Sequence, residues 1–274
     1  MKTTVTLLAC ALAAPAFAQK AADPAANFPV RPIRVVVGFT PGGQPDIYAR
    51  LLQPRLSEAL RQQVVVDNRP GAGGILGAHI VVDATPDGHT LLSVSSAHVT
   101  SPAVRAKMPY DTVRDLAGIS LTANATYVLS ATPALNLKNM QDLIALARAK
   151  PGQVNFSSAG SGSGTHFAGE MFRQSAGIDV VHIPFKGIPE SLTDVISGRV
   201  QFTMAPIASS VSLIKEGRLR ALGVTSKKRA SIYPELPTLA EQGLTGFEWD
   251  AWGGILAPAK TPRTVINKLN REIV

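Results

Sequence analysis

Short apolar runs alternate with segments of helical period along most of the chain. Ile33-Arg34-Val35-Val36-Val37-Gly38-Phe39 reads as a strand. Thr40-Pro41-Gly42-Gly43-Gln44-Pro45 follows it, and Asp46 opens the amphipathic stretch IYARLLQPRLSEAL, expected to be a helix capped by Asp46. VVVDN leads through RPGAGG to the helical segment ILGAHIVVDA, and the strand TLLSVSS follows the turn Pro86-Asp87-Gly88. LNLKNMQDLIALARAK has a clear helical period that Pro151-Gly152 ends. The strands QVNFSS, VVHIPF, VQFTMA and LRALGVT then alternate with the helices THFAGEMFRQSAG, PESLTDVISG and ASSVSLIKEG. This rhythm predicts α/β units on mostly parallel sheets.

Two stretches break the rhythm. Residues 96–125 and 225–237 lack helical periodicity, and both are read as crossings between two lobes. One lobe is expected to hold residues 28–100 and 225–274, the other residues 101–224. Two α/β lobes with a cleft between them suit a receptor that closes on a ligand by a hinge. Near the end, Thr261 is an N-cap residue and Pro262 suits a first helical turn. Val265, Ile266, Leu269 and Ile273 then keep one apolar face. The pattern is still running at Val274 without a stop signal, as in a chain cut short.

The start has another character. Lys2, the apolar run Val5 to Ala14 and the small-x-small triplet Ala16-Phe17-Ala18 predict a secretory signal cleaved after Ala18, with Gln19 as the mature N-terminus. The competing reading is a lipoprotein signal, since Leu7-Leu8-Ala9-Cys10 resembles a lipobox. Residues 19–29 are rich in Ala and Pro and read as a mobile lead-in. Cleavage leaves 256 of the 274 residues and removes Cys10, the sole cysteine. An exported chain without disulfides suits a bacterial periplasm. No later apolar run approaches the ~18 residues a membrane helix needs.

The formal charge of +8 falls to +7 once Lys2 is lost. Nucleic acid does not account for it, because the basic residues are scattered and aromatics make up only 5% of the chain. Steering of small anions, or plain solubility, accounts for it equally well.

Three Gly-rich loops stand between a strand and a helix: FTPGGQPD, NRPGAGG and SSAGSGSGTHF. Leu76 spoils the G-x-G-x-x-G spacing of GAGGILG, GSGSGT misses it too, and no Walker lysine or G-x-S-x-G elbow occurs. What these loops offer is backbone N–H at a helix N-terminus, where the dipole favours an anion. Thr40, Ser157, Ser158, Ser161, Ser163 and Thr165 add neutral hydroxyls. Such donors suit a carboxylate that must be released again; the alternative is a set of tight turns without a ligand. Asp46 is a candidate to orient a ligand group as well as to cap. His166 can contact ligand, serve as a base, or pack. The five histidines lack metal-ligand spacing and cysteine partners, so no metal and no cofactor are expected. Phe247, Trp249 and Trp252 around Asp250 either line a cleft or fill core.

Taken together, the blocks PIRVVVGFTPGGQPDIYARLL, VVVDNRPGAGGILGA, ATPDGHTLL, KMPYD, LIALARAKPGQVNFSSAGSGSGTHFAGEMF, VHIPFKG, LTDVISGRVQF, KEGRLRALGVTS, LPTLAEQG and LAPAKTP resemble the Bug-type, or tripartite tricarboxylate transporter receptor, family. The likeness runs from about Pro32 to Val274. It implies a type II-like periplasmic-binding-protein fold that closes on a small ligand. A carboxylate would be gripped by the first lobe's loop, Phe39, Thr40, Pro41, Gly42, Gly43 and Asp46. The second lobe's loop, Ser158, Ala159, Gly160, Ser161, Thr165 and His166, would oppose it. Three departures bear on ligand choice: His89 where the family usually has Tyr, Ser101 where Asn often precedes Pro, and Ala205 where many members carry Asp. The family also normally continues several tens of residues past Val274.

The expectation is therefore a monomeric periplasmic receptor, not an enzyme. It captures a small carboxylate (a dicarboxylate or tricarboxylate, an aromatic acid, an acidic amino acid or a nicotinate-like molecule) and delivers it to the permease subunits of a tripartite tricarboxylate transporter. The rivals are a ligand sensor for a membrane receptor kinase and a Ser/His hydrolase built on SSAGSGSGTH.

Overall fold

A computed structural model describes residues 23–274. The leader expected over residues 1–18 lies outside the described residues. The first α/β units follow the apolar runs. Strand β1 (Ile33–Val37) is buried along nearly its whole length and lies parallel between β2 (Val64–Asn68) and β3 (Thr90–Ser95). Burial on both faces explains its unbroken valines. Helices α1 (Gln44–Leu60) and α2 (Ile75–Val82) cover this sheet, and α3 (Ala97–Thr100) follows β3.

The second set of parallel strands is β5 (Asn155–Ser158), β6 (Val181–Pro184) and β7 (Phe202–Pro206), with β5 in the middle. Helices α4 (Met140–Ala149), α5 (Gly164–Ala176), α6 (Ile188–Ile196) and α7 (Ile207–Lys215) belong to this half. Met140, Leu143, Phe156, Phe172 and Phe202 are fully buried in its core. Strand β8 (Arg220–Val224) pairs with the long strand β4 (Leu116–Ala131).

Two antiparallel strands join the halves. The first part of β4 pairs with β9 (Asp250–Pro258), which itself pairs with β3. From Tyr127 onward β4 pairs with β7 instead, which gives the strand order β2-β1-β3-β9-β4-β7-β5-β6. The crossing to the second sheet therefore falls inside β4 and not near residue 101. On the return, Leu239 and Phe247 are still buried in the second core, and the chain rejoins the first sheet at β9. Helix α8 (Arg263–Ile273) buries Val265, Ile266 and Leu269 on the expected face. It begins after Pro262 with no side-chain cap, so Thr261 lies one residue too early to cap it. Among the described residues no helix is long and apolar enough to cross a membrane.

Candidate functional site

The loops after β1 and β5 leave the carboxyl ends of parallel strands and face each other between the two sheets. This is where open α/β sheets place ligands. Each loop ends at a helix N-terminus, whose first N–H groups have no intrahelical partner. Gly43 and Gln44 from α1, and Gly164 and Thr165 from α5, line one small cavity. Phe39, Ala159 and Ile188 give it an apolar side, and Ser95 and Tyr127 close it. No charged side chain lines it.

The first loop is held by a buried network. Helix α1 starts at Gln44 with Gly43 as its cap, so Asp46 is a first-turn residue and not the cap that its position suggests. Asp46 is 2% exposed, and its carboxylate accepts bonds from Gly42 N–H (2.8 Å), Arg50 Nε (3.0 Å) and Asn68 Nδ2 (2.9 Å). Asn68 Nδ2 also bonds the Phe39 carbonyl at 3.0 Å. Burial pushes the Asp46 carboxyl up, but the bonds from Arg50, Gly42 and Asn68 outweigh it and hold the group below its usual range. Its oxygens are spent on loop geometry, and Arg50 offsets a charge that would repel an anion at this helix end.

The second loop is held likewise. Ser163 caps α5 by accepting from His166 N–H (3.2 Å), and Thr165 Oγ1 accepts from Ala159 N–H (2.8 Å). Ser158 Oγ takes Gly160 N–H at 3.1 Å and meets His182 Nε2 at 2.6 Å. Gly162 N–H donates to His166 Nδ1 at 3.2 Å. Contacts then join the two loops' lobes. Thr40 Oγ1 donates to Glu190 (3.1 Å), Ser209 Oγ to the Gly42 carbonyl (3.3 Å), and Thr100 Oγ1 to the Gly162 carbonyl (2.8 Å).

The structure thus brings together Phe39, Gly43, Ala159 and Thr165 at the cavity. Pro41, Gly42 and Ser161 are exposed on the loops' outer edges, and Ser158 and His166 support the loop from behind. Ala205 is buried in β7, and its neighbour Pro206 supplies the wall. Of the hydroxyls read as ligand donors, Ser158, Ser163 and Thr165 are committed to their own loop, while Ser157 bonds the Ser191 carbonyl and Thr40 bonds Glu190. Phe247 and Trp249 pack with the second core and Trp252 with a separate cluster of the first, so the three do not form one wall. Gln44, Ser95 and Tyr127 line the cavity without having been singled out in the sequence. Gln44 stands inside the first Gly-rich loop, as a polar residue at a first helical position; Tyr127 carries no such signal.

His166 and His182 stack at 4.1 Å between ring centroids. Burial depresses the His182 imidazole to about 4, helped by the neighbouring His166. Burial lowers His166 as well, against the pull of Glu170. His166 Nδ1 accepts Gly162 N–H only while that ring is neutral, and the contact between His182 and Ser158 lies in the same half-buried setting. An unfolded chain takes up these protons near the ordinary histidine value of about 6.5, before the folded one does. Stability is therefore complete above about 6.5 and declines as pH falls toward 4. We expect the unfolding free energy from urea denaturation to drop over that window by roughly 1 kcal/mol, after allowing for His182's partial exposure. The His182→Gln variant should flatten part of that slope. An unchanged slope in His182→Gln would remove this histidine from the account.

Residues 48–273 match the family described as tripartite tricarboxylate transporter family receptor. The chain belongs to this receptor family, whose members are solute-binding proteins. It is 35% identical to the protein BugT of Bordetella pertussis over 249 residues, covering 90% of this chain and 76% of BugT. A solved structure of R. palustris Rpa4515 with adipate superposes with a TM-score of 0.88 at 34% identity, covering 90% of this chain and 83% of that one. The structure of MatC (Rpa3494) from Rhodopseudomonas palustris with bound malate gives 0.86 at 31% identity, covering 90% and 84%. The fold is that of the periplasmic binding proteins, two α/β lobes with a cleft between them.

Proposed function

We propose that this chain is a periplasmic receptor that captures a small organic carboxylate and hands it to the permease subunits of a tripartite tricarboxylate transporter. It acts as a monomer, by binding and closure and not by catalysis. The observation that carries this reading is the pair of helix N-termini, one from each lobe, opening on a single uncharged cavity. Two dipoles and the first-turn N–H groups favour a carboxylate without a fixed cation, and so permit its release. Relatives that hold adipate and malate support the ligand class.

The cavity has a volume of about 20 Å³, room for about one water, so a carboxylate of several carbons enters only when the lobes part. The contacts from Thr40, Ser209 and Thr100 across the cleft are the ones that would re-form on closure. Closure would then report occupancy to a membrane partner. A hydrolase reading draws on the short Ser158–His182 contact. Ser158, however, is fully buried and its oxygen is held by Gly160 N–H, which leaves no path for a substrate carbonyl. A sensor for a receptor kinase would use the same site and differ only in its partner.

The test is a thermal-shift screen of the chain against small carboxylates and their neutral amides. A ligand at a hundredfold excess over its Kd adds about 2.7 kcal/mol to native stability, or about 5–10 °C for a protein of this size. A rise with one carboxylate and not with its amide supports the receptor. A cooperative melt that no carboxylate moves would overturn the ligand class.

A further inference from the structure

Gly187 follows β6 and stands at the cap position of α6 in the second lobe. Its backbone is extended, with φ −170° and ψ 179°, an arrangement open to any residue. No side chain caps α6, and serine fills such a position at least as well as glycine. The second lobe's backbone therefore gives no reason for glycine here. The first lobe does. A Cβ on Gly187 would overlap Thr40 Oγ1 and would stand 3.0 Å from Thr40 Cβ. The same Thr40 hydroxyl donates to Glu190 Oε2 at 3.1 Å, and Glu190 lies in the first turn of α6. Turning Thr40 aside would cost that bond and leave its Cβ as close as before. Glu190 Oε2 is also 3.0 Å from the added carbon, but it is the far end of an exposed, flexible side chain that can yield.

The two residues are chain neighbours of the cavity wall, since Phe39 precedes Thr40 and Ile188 follows Gly187. Where Thr40 meets Gly187, the apolar side of the cavity is shut. The seam continues to Gly42, where a Cβ would stand 3.4 Å from Pro189 Cγ. Gly73 also approaches the other lobe, its Cβ position lying 2.6 Å from the Ser161 carbonyl oxygen, but its φ of +69° favours glycine whatever lies opposite. At Gly187 the demand for glycine comes from across the cleft. We propose that Gly187 is the stop on which the lobes close: the hinge shuts until this main-chain position rests on Thr40, and the Thr40–Glu190 bond then latches it. Gly187 does not line the cavity; it is a positioning residue that acts through Thr40. The inference rests on the receptor reading above and names a residue that sets how far the cleft shuts. A grip made of N–H groups from both lobes needs both to reach the anion together. A side chain at 187 props them apart, and apparent affinity falls with the population of the closed form.

The test compares Gly187→Ser with the unaltered chain, with malate, adipate, citrate, glutamate, benzoate and nicotinate as probes. Serine suits the cap, so the ligand-free melting temperature should stay within about 2 °C. With the tightest-binding probe at saturation, the radius of gyration from small-angle X-ray scattering should fall in the unaltered chain and stay at its ligand-free value in Gly187→Ser. Calorimetry should show affinity weaker by roughly tenfold or more. Thr40→Gly removes both the overlapped hydroxyl and its carbon. In that background Gly187→Ser should cost less than about threefold, with compaction equal to that of Thr40→Gly alone. Equal scattering of Gly187→Ser and the unaltered chain at saturation overturns the stop. So does a loss of affinity that persists in the Thr40→Gly background, since the serine would then act within its own lobe. If no probe binds the folded unaltered chain, the receptor reading itself fails, and the stop with it.

Discussion

The double variant Gly43→Val, Thr165→Ala is expected to keep its helical and strand content and to lose at least a hundredfold in carboxylate affinity. Gly43 has ordinary backbone angles, φ −74° and ψ 163°, which a β-branched residue adopts without strain. A Cβ there meets the Thr40 carbonyl at 3.4 Å and Phe39 Cβ at 3.7 Å, both normal contacts. The chain therefore tolerates the substitution, while the valine methyls occupy space beside the first N–H groups of α1. Thr165 acts from the opposite lobe. Its Oγ1 accepts Ala159 N–H at 2.8 Å and stands 2.9 Å from Ser163 Oγ. Alanine leaves a buried N–H unpaired, a loss of about 1–3 kcal/mol, and releases the loop that the anion must meet. Steric block on one side and a loosened grip on the other together exceed the ~2.7 kcal/mol that a hundredfold represents. Calorimetry with the carboxylate that most raises the melting temperature gives the affinity, and circular dichroism checks the fold. Affinity within tenfold of the unaltered chain, in a folded double variant, would show that the carboxylate lies elsewhere.

What was legible in the sequence is tied to where burial repeats locally. The parallel strands β1 and β7 are buried on both faces and mostly apolar, and the helices after β1 and β5 keep one apolar face, so these units stand out in the sequence although β5 itself buries Ser157 and Ser158. Strands β4 and β9 escape that logic. In the first part of β4 the half-exposed side alternates with polar residues such as Ser120, Thr122 and Asn124, and the pairing slips near Gly118 and Leu121. In β9 the pair Gly253-Gly254 lies against Tyr48 and Ser120, so small residues mark close approach and not a turn. These two strands join the lobes, and missing them misplaces the boundary. The site shows a similar division. Gly-rich loops between a strand and a helix announce an anion cradle, because both features are consecutive in sequence. Tyr127 from β4 and Ser95 from the end of β3 reach the same cavity, and only the assembled sheets bring them to Gln44. The hydroxyls were visible, but whether each serves ligand or loop depends on partners such as His182, 24 residues beyond Ser158.

The first cradle also depends on a contact that no local pattern reveals, and Gly77→Val is expected to expose it. A Cβ on Gly77 would stand 2.6 Å from the Cα and 3.0 Å from the nitrogen of Gly38. Helix α2 thus lies directly on the backbone where β1 turns into the binding loop. Gly38 is pressed from the same side, since a Cβ there would stand 2.6 Å from the Gly74 carbonyl oxygen. Backbone atoms have no rotamer by which to yield, so α2 must move off the sheet. The segment GAGGILG is therefore a packing surface that seats Gly38, and through it the Phe39–Gly43 loop. Overpacking of this kind costs about 3 kcal/mol, a large share of the roughly 5–15 kcal/mol that holds a domain together. The urea midpoint should fall accordingly, and Gly77→Ala should fall less. Because the displaced backbone continues into the cradle, carboxylate affinity should drop in the same variants, measured at low temperature where they remain folded. Full stability in Gly77→Val would mean that α2 has room the close contact denies. Lost stability with unchanged affinity would uncouple helix α2 from the binding loop.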